Sequence, residues 1–149
     1  STLSSSSAAS DVYKRQDALR VVLRRAAEVD ADLLLASQGY LFCAPENLAS
    51  LSGEMKECFD RNYYAVLDRI QGLPYGCAIS AGSDGAGAAR QVERICTGWR
   101  LKPVAPALIV NLGAQTAEQI LAPKTVREGD LARCEELGGL LAGIVLMGT

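Results

Sequence analysis

Two groups of residues have types and spacing that can do chemistry. The first is Glu46-Asn47, a carboxylate and an amide that follow the apolar run Tyr40-Leu41-Phe42-Cys43-Ala44 and Pro45. Such a pair can supply hydrogen bonds to a flat heterocycle; its plainer use is to cap the turn and the helix beyond it. The second is the stretch Ala81-Gly82-Ser83-Asp84-Gly85-Ala86-Gly87, set between a predicted strand and a predicted helix. Backbone N–H groups at such a place can face an anion. As a dinucleotide fingerprint the stretch fails. Gly85-Ala86-Gly87 supplies GxG, but Arg90 stands at the third glycine position and no acid follows where a ribose would need one. No Gly-Lys-Ser/Thr follows, so a Walker loop is excluded too. A flavin-edge loop and a plain tight turn stay open.

Other chemistries are removed by what the chain lacks. Histidine is absent, and with it the commonest general base and metal ligand. The five cysteines, Cys43, Cys58, Cys77, Cys96 and Cys134, form no CxxC pair and are odd in number. That pattern predicts reduced, buried thiols in a cytoplasmic protein rather than a disulfide or zinc framework. No group is visible that would activate a thiolate, so no catalytic residue and no metal ligand is assigned. Net charge is −2 with Lys and Arg scattered, which predicts no nucleic-acid surface. The longest apolar run, Leu140 to Met147, falls well short of the ~20 residues of a membrane span.

These residues need elements to hold them. Leu19 to Arg24 is β-branched and partly alternating, which predicts a strand; a helix from Asp17 competes. Asp30 can cap a short helix from Ala31 to Ser37. The strand from Tyr40 to Ala44 is expected to stop at Pro45, which has no N–H for a ladder. A polar loop, Glu46 to Ser50, follows. A helix then opens near Ser52, with Met55, Cys58, Phe59, Tyr63, Val66, Leu67 and Ile70 as one apolar stripe. Glu57 and Arg61 pair at i,i+4 on its wet side. Asp60-Arg61 reads as surface charge of little energetic weight. Gly72-Leu73-Pro74 ends that helix, and Tyr75 to Ser80 makes a second buried strand. The next helix carries Val92, Ile95, Cys96 and Trp99. Val104 to Val110 is a further strand, its start near a sheet edge because of Pro103 and Pro106. Thr116 can cap a short turn with Glu118, and Asp130 opens the last helix. Strands alternating with helices predict an α/β fold, a parallel sheet covered on both faces. At 149 residues, 49% hydrophobic, the chain suits one domain, placed at residues 17–149. Residues 1–16 form a Ser-rich tail. The run SSAASDVYKRQ resembles a translated sequencing-adapter tail, which implies that it replaces the natural N-terminus; a natural disordered tail is the alternative.

The succession "GYLFCAPENL…LSGEMKECFDR", then "YGCAISAGSDGAG", then "RLKPVAPALIV" resembles the flavodoxin-like NAD(P)H-dependent FMN reductase family over roughly Leu19 to Val145. The Pro-Glu-Asn and Lys-x-x-x-Asp-Arg combination carries the resemblance. It implies a flavodoxin-like parallel sheet of order 2-1-3-4-5 with FMN at strand ends. Ala44, Pro45, Glu46, Asn47 and Leu48 would border the isoalloxazine ring, and Ala81, Gly82, Ser83, Asp84 and Gly85 would form the second flavin loop. Gln38 stands where the family usually has Asp, and Asn47 where it often has Tyr. The family's first strand, phosphate loop and first helix have no counterpart before Leu19. Without that loop roughly three charge-assisted hydrogen bonds of about 1.5–3 kcal/mol each are lost. Nanomolar binding, about −12 kcal/mol, then becomes micromolar at best.

Three functions follow as expectations. The first is an FMN-dependent oxidoreductase that takes a hydride from NAD(P)H as co-substrate and passes electrons to a quinone or similar small-molecule acceptor. The cofactor would do the chemistry, which suits a site without histidine or paired acids. The second is a flavodoxin-type electron carrier. Such carriers are very acidic and stack aromatics on the flavin, whereas neither loop here holds an aromatic. The third is a non-catalytic flavodoxin-like fragment unable to hold FMN. The family also implies a possible homodimer, with Tyr63-Tyr64 beside Asp60-Arg61 as contact surface.

Overall fold

The computed structural model describes residues 18–148. The tail predicted at residues 1–16 lies outside them. The frame is a mixed, mostly parallel sheet. Strand β1 (Tyr40–Asn47) pairs in parallel with β3 (Pro74–Ala81), and β3 pairs in parallel with β5 (Leu108–Asn111). Two short strands extend it: β2 (Ser50–Leu51), antiparallel to β1, and β4 (Lys102–Pro103), parallel to the start of β3. The helices are α1 (Ala31–Ala36), α2 (Gly53–Val66), α3 (Ala86–Gly98), α4 (Ala117–Leu121) and α5 (Glu128–Met147).

Alternation along the strands sorts the core into two layers. Tyr40, Phe42, Ala44, Tyr75, Cys77 and Ile79 join Phe59, Val66, Val92, Cys96 and Trp99 from α2 and α3. On the opposite face Ala78, Leu108 and Val110 pack with Cys134 and Leu137 of α5, with Leu41 and Cys43 half-buried beside them. This is the expected α/β architecture with helices on both faces.

Several predicted boundaries are corrected. Residues 19–24 form no strand: they lie mostly exposed and pair with no strand among the described residues. β-branched composition favours an extended chain, but a strand needs a neighbour to exchange hydrogen bonds with. Nor does β1 stop at Pro45; it runs on to Asn47, with the Pro45 carbonyl accepting from Ser52 N–H at 3.1 Å. The predicted loop is thus a tight β1–β2 hairpin. The strand expected from Val104 is split, because residues 104–107 lie between β4 and β5 with Pro106 among them. Helix α2 ends at Val66 rather than at Gly72, the chain turning at Asp68 with φ of 64°. The last helix starts at Glu128, not Asp130. Thr116 caps α4 with Gln119, not Glu118, as the reciprocal partner.

The hairpin turn is strained. Leu48 and Ala49 occupy its two central positions with φ of 52° and 64°, where Asn-Gly is the favoured pair. Left-handed backbone costs an ordinary residue roughly 1–2 kcal/mol. Replacing both residues (Leu48→Asn with Ala49→Gly) is expected to stabilise the chain by about 1–2 kcal/mol, read as a higher midpoint in urea unfolding. A lower midpoint would show that the Leu48 side chain makes a contact that outweighs the strain.

Candidate functional site

The two predicted loops meet. Parallel register places Ala44 opposite Ile79 and Pro45 opposite Ser80, so β1 and β3 end side by side and their exit turns share one edge of the sheet. A third turn joins them after β5. Leu112 N–H donates to the Ala81 carbonyl at 2.8 Å, Ala114 N–H to the Gly82 carbonyl at 2.7 Å, and the Asn111 amide to the Ser83 carbonyl at 2.7 Å. Beyond it lies a cleft of about 300 Å³ lined by Leu112, Gly113, Ala114, Gln119, Pro123 and Lys124 among others. Of the ten predicted site residues, Ala44, Ala81 and Gly85 are buried, Glu46 and Gly82 half-buried, and Pro45, Asn47, Leu48, Ser83 and Asp84 exposed. Leu48, at the hairpin tip, is 100% exposed.

Glu46 is engaged internally. Its carboxylate accepts from Gly85 N–H at 2.8 Å and from Ala88 N–H at 3.1 Å. Gly85, with φ of 97°, is the N-cap residue of α3 and has no capping side chain of its own. The positive end of the helix and its unpaired donors are therefore met by a carboxylate from the neighbouring strand. The anion that the glycine loop faces is the chain's own. Asp84 adds a local bond, accepting from Ala86 N–H at 3.1 Å. Gln91 fastens the other arm of the hairpin, its Oε1 accepting from Leu51 N–H at 2.6 Å. Gly87 permits this approach, since a Cβ there would overlap the Ala49 carbonyl oxygen. By contrast the Asn47 amide and the Ser83 hydroxyl make no hydrogen bond among the described residues, and both are exposed on the shared edge.

Sequence reading missed Gln91 and Asn111, the two amides that lock the turns together. Asn111-Leu112-Gly113 after a strand was a turn signal. Nothing local marks Gln91. Arg61 does more than the surface pairing expected of it: besides Glu57 at 2.8 Å, its guanidinium donates to the carbonyls of Val29 and Ala26, the latter at 3.0 Å. It ties α2 to the turn before α1, and Asp60 pairs with Lys56 instead, at 2.7 Å.

Of the five thiols expected to be buried, Cys58, Cys77, Cys96 and Cys134 are, while Cys43 is only half-buried. Burial pushes the thiol of Cys77 from its ordinary 9.0 up to about 12 and raises that of Cys96 further. Burial likewise pushes the phenols of Tyr40 and Tyr75 up to about 12. Groups whose pKa is raised on folding lend stability that is complete below their unfolded values and is lost as pH climbs towards the folded ones. Stability is therefore expected to hold at neutral pH and fall from about pH 9 towards pH 12, as urea melts across that range would show. Unchanged midpoints up to pH 11 would contradict it. Among the described residues no cluster of His, Cys, Asp and Glu could hold a metal ion. No helix among them is long and apolar enough to cross a membrane.

The class is that of the flavodoxin-like α/β folds. In sequence, no family model and no curated protein matches the chain. In structure it is similar to a flavodoxin from the domain Archaea, with a TM-score of 0.72 at 14% identity, over 97% of this chain and 89% of that one. An oxidoreductase from Corynebacterium diphtheriae gives 0.68 at 18% identity, over 99% of this chain and 87% of that one. A flavodoxin from Streptococcus pneumoniae also gives 0.68 at 18% identity, over 95% and 88%. At these identities the likeness is one of fold.

Proposed function

We propose that the shared edge formed by the β1 and β3 turns receives the ring of FMN, in an oxidoreductase that draws on NAD(P)H and reduces a quinone or similar small acceptor. One observation carries this reading: two short turns at the carboxyl ends of adjacent parallel strands, with the Asn47 amide and the Ser83 hydroxyl exposed there and, among the described residues, without a hydrogen-bond partner. Ligands of open α/β sheets bind at such an edge. The donor set fits the ring, whose edge needs uncharged donors and acceptors. Ala44, Pro45, Asn47 and Leu48 would border it on one side, and Ala81, Gly82, Ser83 and Asp84 on the other. When bound, FMN supplies the hydride and electron chemistry, and the chain positions it. Glu46 and Gly85 act here as scaffold, holding the two turns in register. The absence of aromatics from both turns leaves room over the ring for a nicotinamide, which favours the enzyme over a flavodoxin-type carrier.

A second reading rests on Glu46. Its carboxylate occupies the N–H groups of Gly85 and Ala88, so this helix end offers no place to a phosphate. That favours a flavodoxin-like domain that does not retain FMN. Titration separates the two. The first reading expects quenching of FMN fluorescence with a dissociation constant in the micromolar range, about −8 kcal/mol. It also expects riboflavin to bind within a few-fold of FMN, because only the ring is held. Flavin-dependent oxidation of NADH or NADPH with a quinone would complete it. No quenching at millimolar flavin leaves the second reading. The cytoplasmic location and a possible homodimer are proposed alongside; sedimentation tests the dimer.

A further inference from the structure

The aromatic residues packed between the sheet and helices α2 and α3 form an unbroken file. Between ring centroids, Phe42 lies 5.1 Å from Phe59, Phe59 5.6 Å from Trp99, Trp99 5.5 Å from Tyr63, and Tyr63 5.2 Å from Tyr64. The file leads from core to solvent, since Trp99 is 1% exposed and Tyr64 82%. Packing alone does not explain Tyr64, whose ring meets Tyr63 edge-on at 83° and buries little of itself. Of these side chains only indole and phenol give up an electron readily; benzene rings do not. The oxidisable part is therefore Trp99, Tyr63 and Tyr64. Its first link is doubled: the two rings stack at 16°, and the Trp99 Nε1–H donates to the Tyr63 carbonyl at 3.0 Å.

We propose that Trp99, Tyr63 and Tyr64 form an electron relay that moves oxidising equivalents out of the core and discharges them at Tyr64. A one-electron oxidant, of the class of oxygen-derived radicals, takes an electron from the Trp99 indole and is itself reduced by one electron. An electron from Tyr63 refills Trp99, and one from Tyr64 refills Tyr63. Tyr64 releases its phenolic proton to water, so a neutral phenoxyl radical stands at position 64 and Trp99 is restored. A soluble thiol then returns one hydrogen atom to Tyr64 and leaves as a thiyl radical. Proton release sets the direction. Tyr40 is a poor sink, because its hydroxyl donates to the Leu34 carbonyl at 2.5 Å in the core. Burial likewise holds the protons of Tyr40 and Tyr75 tightly. The relay protects something specific: Cys58, Cys77 and Cys96 share the buried cluster with Phe59 and Trp99. Thiols are the groups that a stranded core radical would oxidise. The relay stands on these rings alone and holds whether or not the chain binds FMN.

Trp99 is the chain's one tryptophan, so light at the red edge of the indole band ionises it selectively. Flash photolysis of the full chain, with hexamminecobalt(III) taking up the ejected electron, follows the indolyl and phenoxyl bands. In the wild type the indolyl band decays as a long-lived phenoxyl band rises at the same rate. Tyr64→Phe, a surface change that leaves the fold intact, loses the long-lived phenoxyl. Tyr63→Phe, which keeps Tyr64 but breaks the file, loses it too. Indolyl decay with no phenoxyl rise overturns the relay, as does a phenoxyl yield undiminished by Tyr64→Phe.

Discussion

Glu46→Ala is expected to destabilise the chain by about 2–4 kcal/mol. The carboxylate closes two charge-assisted hydrogen bonds, to Gly85 N–H and Ala88 N–H, each worth about 1.5–3 kcal/mol, and half-burial discounts their sum. Its removal leaves the N–H groups of Gly85 and Ala88 without their acceptor, because Gly85 brings no side chain and Asp84 serves only Ala86 N–H. It also frees β1 from α3, leaving Gln91 as the remaining side-chain latch on the hairpin. Glu46→Gln keeps one acceptor oxygen and should cost about half as much. Urea melts measure the loss, and hydrogen exchange locates it: the amides of Gly85 and Ala88 should lose protection while those of β3 keep theirs. A loss below about 0.5 kcal/mol, the size of an ordinary surface change, would mean that water replaces the carboxylate at no cost.

The same residue shows how far the sequence could be read. Strand β1, helix α2 opening near Ser52, strand β3 and the glycine turn were legible because each is written locally, in an apolar run, a 3.6-residue stripe, or a breaker. Their neighbourhood was legible too, through the alternation of strands and helices. What Glu46 does was not. Its partners lie 39 and 42 residues away, and no spacing within the loop distinguishes a carboxylate aimed at a ligand from one aimed at a helix end. The misread strand at residues 19–24 failed for a related reason. Composition decides whether a segment can be extended, while the presence of a neighbour decides whether it is a strand.

Pro45 illustrates the opposite error, a local rule applied too strictly. Proline withholds one N–H, but in β1 that position has its carbonyl bonded to Ser52 N–H, and the pairing with Ser80 survives. The strand therefore runs two residues further than its breaker suggests, and those two residues, Glu46 and Asn47, are the ones that matter. The extension sends Glu46 back to α3 and leaves Asn47 exposed at the edge. A strand that stopped at Ala44 would have left both in a loop, where neither direction is fixed. Side-chain alternation along an extended backbone divides the pair into one residue that holds the scaffold and one available to a ligand.

Trp99→Ala is expected to cost about 3–5 kcal/mol, the range for removing a large buried aromatic, against a total of ~5–15 kcal/mol for a domain of this size. Two losses act together. The indole is 1% exposed and touches Phe59 and Tyr63, so its removal opens a cavity between α2 and the C-terminal end of α3. The Tyr63 carbonyl also loses the N–H that it accepts at 3.0 Å. Trp99→Phe keeps most of the ring volume and loses the hydrogen bond, so it separates the terms: about 1–2 kcal/mol would assign the larger share to the cavity. Cys58 reports the consequence independently, because it lies in the same buried cluster. In Trp99→Ala its thiol should react with a bulky disulfide reagent at neutral pH under native conditions, whereas in the parent chain it should not until urea unfolds the domain. A Trp99→Ala chain that melts within about 1 kcal/mol of its parent would show that α2 and α3 close over the gap, and that Phe59 and Tyr63 already suffice to hold them together.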